Sequence, residues 1–325
     1  MKKIRKIAVF TSGGDAPGMN ACIRAVVRTA LYNKLEVVGI RYGYEGMIDG
    51  DFISLNAKSV SNIIQRGGTI LKTARSKRFM TKEGMQQAFA QLRKHKVDAI
   101  VAIGGDGTFS GAKEFQKLCK IPIVGCPGTI DNDLVGTDYA IGYDTAINTV
   151  LEAVDKIRDT AESHNRLFLV EVMGRDAGLI ALRSGIGVGA EAVMVPETKN
   201  DMKNVFARLQ KSRADKSSKI IVIAEGDENG GAYKVAEKIK EKFPQFDMRV
   251  SILGHMQRGG SPTCMDRVNA SRMGYSAVNA LLSNKSGVMI GIINNKISFT
   301  PFAKAVKHIE EPNKELTKMM EILSL

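Results

Sequence analysis

Three aspartates in two glycine-bracketed loops are the residues of this 325-residue chain best placed by type and spacing to do chemistry. Asp106 stands in GGDGT, from Gly104, and Asp131 and Asp133 stand in PGTIDND, from Pro127. Glycines that follow a strand let backbone amides approach an anion closely, and a following helix adds its positive end. The first loop therefore reads as a phosphate cradle. An aspartate inside such a cradle is accounted for by Mg²⁺, which takes oxygen ligands and joins carboxylates to phosphate oxygens. The second loop could add a metal contact and a base for a hydroxyl nucleophile, so the pair points to phosphoryl transfer. Glycine and aspartate also build tight turns, and either loop alone is open to that reading.

The elements that must position these loops follow from short apolar runs. Asp98 to Ile103 and Ile121 to Val124 suit buried strands, and Ala112, Phe115 and Leu118 give residues 111–118 one apolar stripe of a helix. A strand, crossover and strand of this length run parallel and right-handed, so both loops should leave the sheet at one edge. Asp106, Asp131 and Asp133 are then expected to share a crevice.

The same grammar opens the chain. Lys6 to Phe10 reads as a strand, followed by TSGGDAPGMN and a helix from Asn20 to Tyr32. This turn is a second phosphate-binding candidate, although it matches neither the Gly-Lys-Ser/Thr nucleotide loop nor the dinucleotide fingerprint. Arg24 and Arg28, one turn apart on that helix, could hold one anion or simply face solvent. A strand over 35–40 leads to a loop-rich region through Asp51. Residues 66–78, RGGTILKTARSKR, hold Arg66, Arg75 and Arg78 around a Gly-Gly pair as possible phosphate clamps, and residues 81–94 read as helix. Downstream, a helix over 145–160 ends near Arg158, which suits a helix C-terminus as well as an effector. Strands over 167–172, 220–224 and 249–253 deliver MGRDAG, Glu225 and GHMQRGGSP at their carboxyl ends, where open α/β sheets bind ligands. Residues 211–219 read as a charged surface loop, and 301–325 as a charged helical segment interrupted by Pro312.

Length favours two domains, with a second α/β layer starting near residue 139. The 44% hydrophobic content excludes a disordered chain. Cys22, Cys119, Cys126 and Cys264 lack metal-ligand spacing, which fits reduced thiols in a cytoplasmic protein. The basic start MKKIRKIAVF runs into SGGD and reads as a strand, not a targeting segment, and no stretch is apolar enough to span a membrane. The net charge of +13 is spread over dispersed lysines without Trp, so nucleic acid is not the expected partner. The field would still favour small anionic substrates.

In order and spacing, SGGDAPGMN from Ser12, RGGT from Arg66, GGDGT from Gly104, PGTIDND from Pro127, EVMGR from Glu171 and GHMQRGGSP from Gly254 resemble the bacterial ATP-dependent 6-phosphofructokinase family. The resemblance implies an α/β chain of two Rossmann-like three-layer domains with mainly parallel sheets and the active site in the cleft between them. It places ATP on residues 1–138 with 251–301, and the sugar phosphate on 139–250 with 302–325. It implies Asp131 as base for the sugar 1-hydroxyl, Arg175 and Thr129 on the transferring phosphoryl, and Asp106 with Asp133 on Mg²⁺. Gly14, Arg75 and Gly105 to Thr108, including Gly107, fall on nucleotide contacts. Met173, Gly174, Glu225, His255 and Arg258 fall on sugar-phosphate contacts, with Arg166 and Arg249 reaching across from a neighbour in a homotetramer.

Pyrophosphate-using relatives carry Asp at the place of Gly107 and Lys at that of Gly128, so the two glycines imply ATP as donor. The family's effector site maps to Arg24, Arg28, Arg158 and Glu191. Asp51, Ala214 and Lys216 stand where the best-known members carry other, cationic sets, which implies weak or altered allostery. The competing readings are a pyrophosphate-dependent phosphofructokinase, another GGDGT kinase acting on NAD or a lipid, and a non-enzymatic nucleotide sensor or nucleic-acid binder.

Overall fold

A computed structural model describes residues 4–198, 201–211, 218–306 and 313–323. The chain divides into two compact units. The first comprises Met1–Thr129, Asp133–Thr145 and Arg258–His308, and the second Ile130–Asn132, Ala146–Gln257 and Ile309–Leu325.

In the first unit, β1 (Lys6–Thr11), α1 (Met19–Tyr32), β2 (Glu36–Ile40), α2 (Gly43–Asp49) and β3 (Phe52–Leu55) are followed by α3 (Lys82–Lys94), β4 (Ala99–Gly104), α4 (Asp106–Cys119) and β5 (Ile123–Pro127). In the second, α5 (Tyr143–His164, its first three residues counted with the first unit), β6 (Leu167–Val172), α6 (Leu179–Gly187), β7 (Ala192–Met194), α7 (Asp201–Lys211), β8 (Lys219–Ala224), α8 (Ala232–Lys242) and β9 (Met248–Ile252) alternate. The chain returns to the first unit for α9 (Cys264–Leu282), β10 (Val288–Ile293), β11 (Lys296–Pro301) and α10 (Phe302–Ala305), and ends in the second with α11 (Lys314–Leu323).

The first sheet has the order β11-β10-β5-β4-β1-β2-β3, parallel throughout except for its edge strands β3 and β11. From β1 the chain builds outward to β2 and β3 on one side and to β4, β5 and beyond on the other. The boundary between β1 and β4 is thus a switch point, where the loops after two adjacent parallel strands diverge and leave a crevice. The second sheet, β7-β8-β6-β9, is all parallel and switches between β6 and β9. Central strands bury every residue, as β4 and β8 do, because helices cover both faces.

Aromatic side chains knit the first core. Tyr44 stacks on Phe79 with ring centroids 3.9 Å apart, Phe79 tilts against Phe115 at 5.1 Å, and Phe109 stacks on Phe302 at 5.3 Å. Burying each such ring stabilises the fold by about 1.5–3 kcal/mol. The second core is aliphatic, with Leu167, Leu169, Val205, Ile221, Ile223 and Ile239 buried together.

Several local expectations change. α4 begins at Asp106 and not at residue 111, since Thr108 and Phe109 are already buried in its first turn. The region before Asp51 is not all loop: Tyr44, Met47 and Ile48 form the buried face of α2, and packing on that face overrides its two glycines. α5 extends beyond residues 145–160 at both ends. Pro301 ends a strand, so the closing segment starts helical only at Phe302. Pro312, Ala214, Lys216 and most of the charged stretch 211–219 lie outside the described residues, although Ser218 and Lys219 are buried.

Candidate active site

The first unit assembles its candidate residues at the β1/β4 switch point. After β1 the amide of Ser12 donates to Ile103 O at 3.0 Å, and the hydroxyl of Thr108 donates back to Ser12 O at 3.2 Å. The two glycine loops are thereby clasped together. The amides of Gly13, Gly14, Gly105 and Gly107 find no acceptor among the described residues. Four unused donors from two loops, with the N-terminus of α4 behind them, are the physical form of an anion cradle. Gly104 has no room for a side chain, because a Cβ would lie 2.3 Å from the Thr108 hydroxyl and 2.5 Å from Ser12 O. Nothing lies within 4 Å of a Cβ built on Gly107, so space is left open over the cradle.

The loop after β5 joins this edge. β4 and β5 are parallel with Gly104 opposite Pro127, and the amide of Gly128 donates to Gly104 O at 2.9 Å. A Cβ on Gly105 would lie 3.7 Å from Thr129 Cβ. Thr129 therefore stands beside the cradle. Asp131 follows two residues later, 5% exposed, within a segment grouped with the second unit, and Asp133 is 8% exposed. Asp106 is the first residue of α4. No group of three or more Asp, Glu, His or Cys among the described residues could hold a metal by itself. Asp106 and Asp133 fit Mg²⁺ in its other mode, in which one or two carboxylates act together with waters and phosphate oxygens.

Two arginines complete the first unit's set. Arg75 is exposed and makes no hydrogen bond or ion pair among the described residues, while nearby Thr73 donates from its hydroxyl to Gly13 O at 2.8 Å. Arg258 donates to Asp15 O at 3.2 Å, and its guanidinium lies 2.5 Å from where a Cβ on Gly14 would be. A residue expected on the sugar phosphate thus lies against a loop expected on the nucleotide.

In the second unit, the loops after β6, β8 and β9 meet. Oε1 of Glu225 accepts from the amides of Gly174 at 3.3 Å and Arg175 at 2.9 Å. Met173 donates from its amide to Oε1 of Gln257 at 3.2 Å. Arg175 adopts φ 53, a left-handed conformation costly for a side-chain-bearing residue, and Gly226 opposite has no room for a Cβ, which would lie 1.9 Å from Arg175 O. The backbone is thus locked so that Arg175 projects from a fixed point. His255 is exposed on the turn after β9. Arg166 and Arg249 converge on one carboxylate, that of Asp247, with Arg166 Nε donating at 2.7 Å. These hydrogen bonds, Arg166 first, hold the Asp247 carboxyl below its usual range.

Gln257 and Asp247 escaped the sequence reading. Gln257 is fully buried between His255 and Arg258, both singled out, and its place in GHMQRGGSP was the available signal. Asp247 offered none beyond proximity to Arg249.

The effector candidates behave differently. Arg24 and Arg28 have no acidic partner among the described residues, and burial followed by the Arg28 charge lowers the Arg24 pKa. Arg158 donates to the Val188 carbonyl at the end of α6 and to Ser218 Oγ at 3.5 Å, which is a helix-capping role. Glu191 is buried, and its carbonyl accepts from Arg208 at 2.9 Å. Asp51 is held by Arg41 in a two-pronged pair, with Nη2 to Oδ1 at 2.7 Å and Nε to Oδ2 at 3.1 Å.

Residues 6–281 match the phosphofructokinase family. The chain is 54% identical over 322 residues to an ATP-dependent 6-phosphofructokinase of Cytophaga hutchinsonii, covering 99% of this chain and 98% of that one. It is 53% identical to ATP-dependent 6-phosphofructokinase 1 of Thermus thermophilus, covering 99% and 100%. Among solved structures, phosphofructokinase from Saccharomyces cerevisiae superposes with a TM-score of 0.89 at 36% identity, covering 98% of this chain, which spans about half (47%) of the yeast one. A pyrophosphate-dependent phosphofructokinase from Marinobacter aquaeolei shares the fold with a TM-score of 0.85 at 19% identity, covering 98% of this chain and 91% of that one. With its glycine loops clasped at one switch point and this likeness running end to end, the chain belongs to the phosphofructokinase family.

Proposed function

We propose that this protein is an ATP-dependent 6-phosphofructokinase, transferring the γ-phosphoryl of ATP to the 1-hydroxyl of fructose 6-phosphate to give fructose 1,6-bisphosphate and ADP. The observation that carries the reading is the set of unused amides at Gly13, Gly14, Gly105 and Gly107 beside Thr129. Those amides bind phosphate oxygens, and Thr129 orients the transferring group. Asp131 takes the proton of the 1-hydroxyl as its oxygen attacks phosphorus. Arg175, fixed by its locked backbone, steadies the charge on the phosphoryl. Asp106 and Asp133 would hold Mg²⁺, which would supply neutralisation of phosphate charge. Met173, Gly174, Glu225, His255 and Arg258 hold the sugar phosphate, and Arg166 and Arg249 of a neighbouring subunit complete it within a homotetramer.

ATP is the donor because the space at Gly107 admits a phosphate that a carboxylate there would repel. The second glycine agrees, since Gly128 stands where the pyrophosphate-using relatives carry Lys. A coupled assay with fructose 6-phosphate, offering ATP and pyrophosphate in parallel, tests the reading. Turnover with ATP is expected, and turnover with pyrophosphate alone would overturn it.

The protein is cytoplasmic in this reading. No helix among the described residues is long and apolar enough to cross a membrane, and the four cysteines are free. Its regulation is weakened. Asp51 brings a carboxylate, already engaged by Arg41, to a place where cationic forks would hold a phosphorylated effector, and Arg158 is committed to a carbonyl. Titrating ADP and phosphoenolpyruvate should shift half-saturation by fructose 6-phosphate by less than about threefold. Strong activation by ADP would refute this.

A further inference from the structure

Residues 11–14, 73–78 and 104–108, the three segments that carry the expected nucleotide contacts Gly14, Arg75 and Gly105 to Thr108, all touch the first turn of one short helix, α2. Gly43 adopts φ +60, and a Cβ there would lie 2.7 Å from Thr11 O and 3.0 Å from Ser12 Cβ, so the helix starts in close contact with the first glycine loop. The hydroxyl of Tyr44 donates to Thr108 O at 2.7 Å, in the first turn of α4. Glu45 uses both carboxylate oxygens on residues 73–78, accepting from Arg78 Nη1 at 2.6 Å and from the Ser76 hydroxyl. Ser76 in turn accepts from the amide of Phe79 at 3.1 Å, and Phe79 stacks on Tyr44.

Arg75 lies between two anchors. On one side Thr73 is bonded to Gly13 O, and on the other Ser76 and Arg78 are bonded to Glu45. Its own guanidinium has no partner among the described residues, so the backbone on either side determines where that charge is presented. The stretch is crowded with cations, since Lys72, Lys77 and Arg78 surround Arg75. Glu45, with Asp49, draws Arg78 aside.

We propose that Glu45 is a positioning residue for ATP: through it α2 fixes the loop that carries Arg75 relative to the two phosphate-binding glycine loops. The proposal rests on the reading of Arg75 as a nucleotide contact. The Glu45–Arg78 pair is too solvated, at 29% and 50% side-chain exposure, to contribute much to stability, so its effect belongs in geometry. A small misplacement of a charged clamp is enough to weaken binding severalfold.

The test compares wild type, Glu45→Ala, Glu45→Gln, Arg75→Ala and the Glu45→Ala/Arg75→Ala double variant by steady-state kinetics and thermal melting. Glu45→Ala should raise the KM for ATP about tenfold while leaving the KM for fructose 6-phosphate and the melting temperature close to wild type. Glu45→Gln, which keeps one acceptor oxygen for Arg78 and turns the other position into a donor toward the Ser76 hydroxyl, should recover part of the loss. In the Arg75→Ala background Glu45→Ala should add nothing, a non-additivity that a merely structural role does not produce. An unchanged KM for ATP in Glu45→Ala, or full additivity with Arg75→Ala, would overturn the proposal. Arg75→Ala with a wild-type KM for ATP would instead remove the underlying reading, and that failure shows in the single variant.

Discussion

Asp131 is a carboxylate 5% exposed, next to Asn132, which turns the chain through the left-handed region at φ 54. Asp131 lies two residues after Thr129, in the loop that follows β5, which suits the proposed base for a hydroxyl brought to the phosphate cradle. Asp131→Asn keeps the shape and removes the basic oxygen. It should lower kcat roughly 10²- to 10⁴-fold with the KM for ATP little changed, because the phosphate cradle is made of backbone amides that the substitution leaves alone. Steady-state kinetics would show it, and a loss under about tenfold would take the role of base away from Asp131. Residues of this kind stood out as candidates in the sequence because glycine and aspartate recur together after two successive apolar runs. Gln257, Asp247 and Glu45 did not, since the hydrogen bonds to Met173, Arg166 and Arg78 that single them out join positions far apart in the sequence.

At the scale of elements, Asp266 on α9 ties down the start of α5. It is 2% exposed and accepts from the amides of Gly142 at 2.9 Å and Thr145 at 2.8 Å and from the Thr145 hydroxyl. Burial pushes its carboxyl up to about 6, the hydrogen bonds from Thr145 and Gly142 opposing and the charge of Asp144 adding. The folded value lies above the unfolded value of about 3.9, so the folded chain binds this proton more tightly. The stabilisation is therefore complete below about pH 4 and is lost as pH rises through about 6, an effect of up to about 3 kcal/mol. Relative to Asp266→Asn, wild-type stability should fall between pH 4 and pH 7, as denaturant melts at several pH values would reveal. A pH-independent difference would contradict it. Helices with a clean apolar period, such as α1 and α3, and strands that are short continuous apolar runs, such as β6 and β8, were readable in advance. The start of α4 was not, because Gly107 in its first turn disfavours helix and only the burial of Thr108 and Phe109 offsets that. The β10–β11 hairpin had a signal that went unused: Asn294 and Asn295, at φ 48 and 60, form the two-residue turn that joins antiparallel strands.

For the whole molecule, the division of labour proposed between subunits makes a prediction that no single-chain defect can imitate. Arg166 and Arg249 sit together on Asp247, and if they serve a neighbour's sugar phosphate, each active site draws Asp131 from one chain and Arg249 from another. Asp131→Asn and Arg249→Ala should each be nearly inactive alone. When the two are dissociated, mixed and reassembled in equal amounts, about a quarter of the sites in a random tetramer join an intact Asp131 to an intact Arg249. The mixture should recover activity approaching that fraction of wild type, whereas either variant reassembled with itself should recover none. If both functional groups came from the same chain, mixing would restore nothing, and the sugar site would have to be complete within each chain.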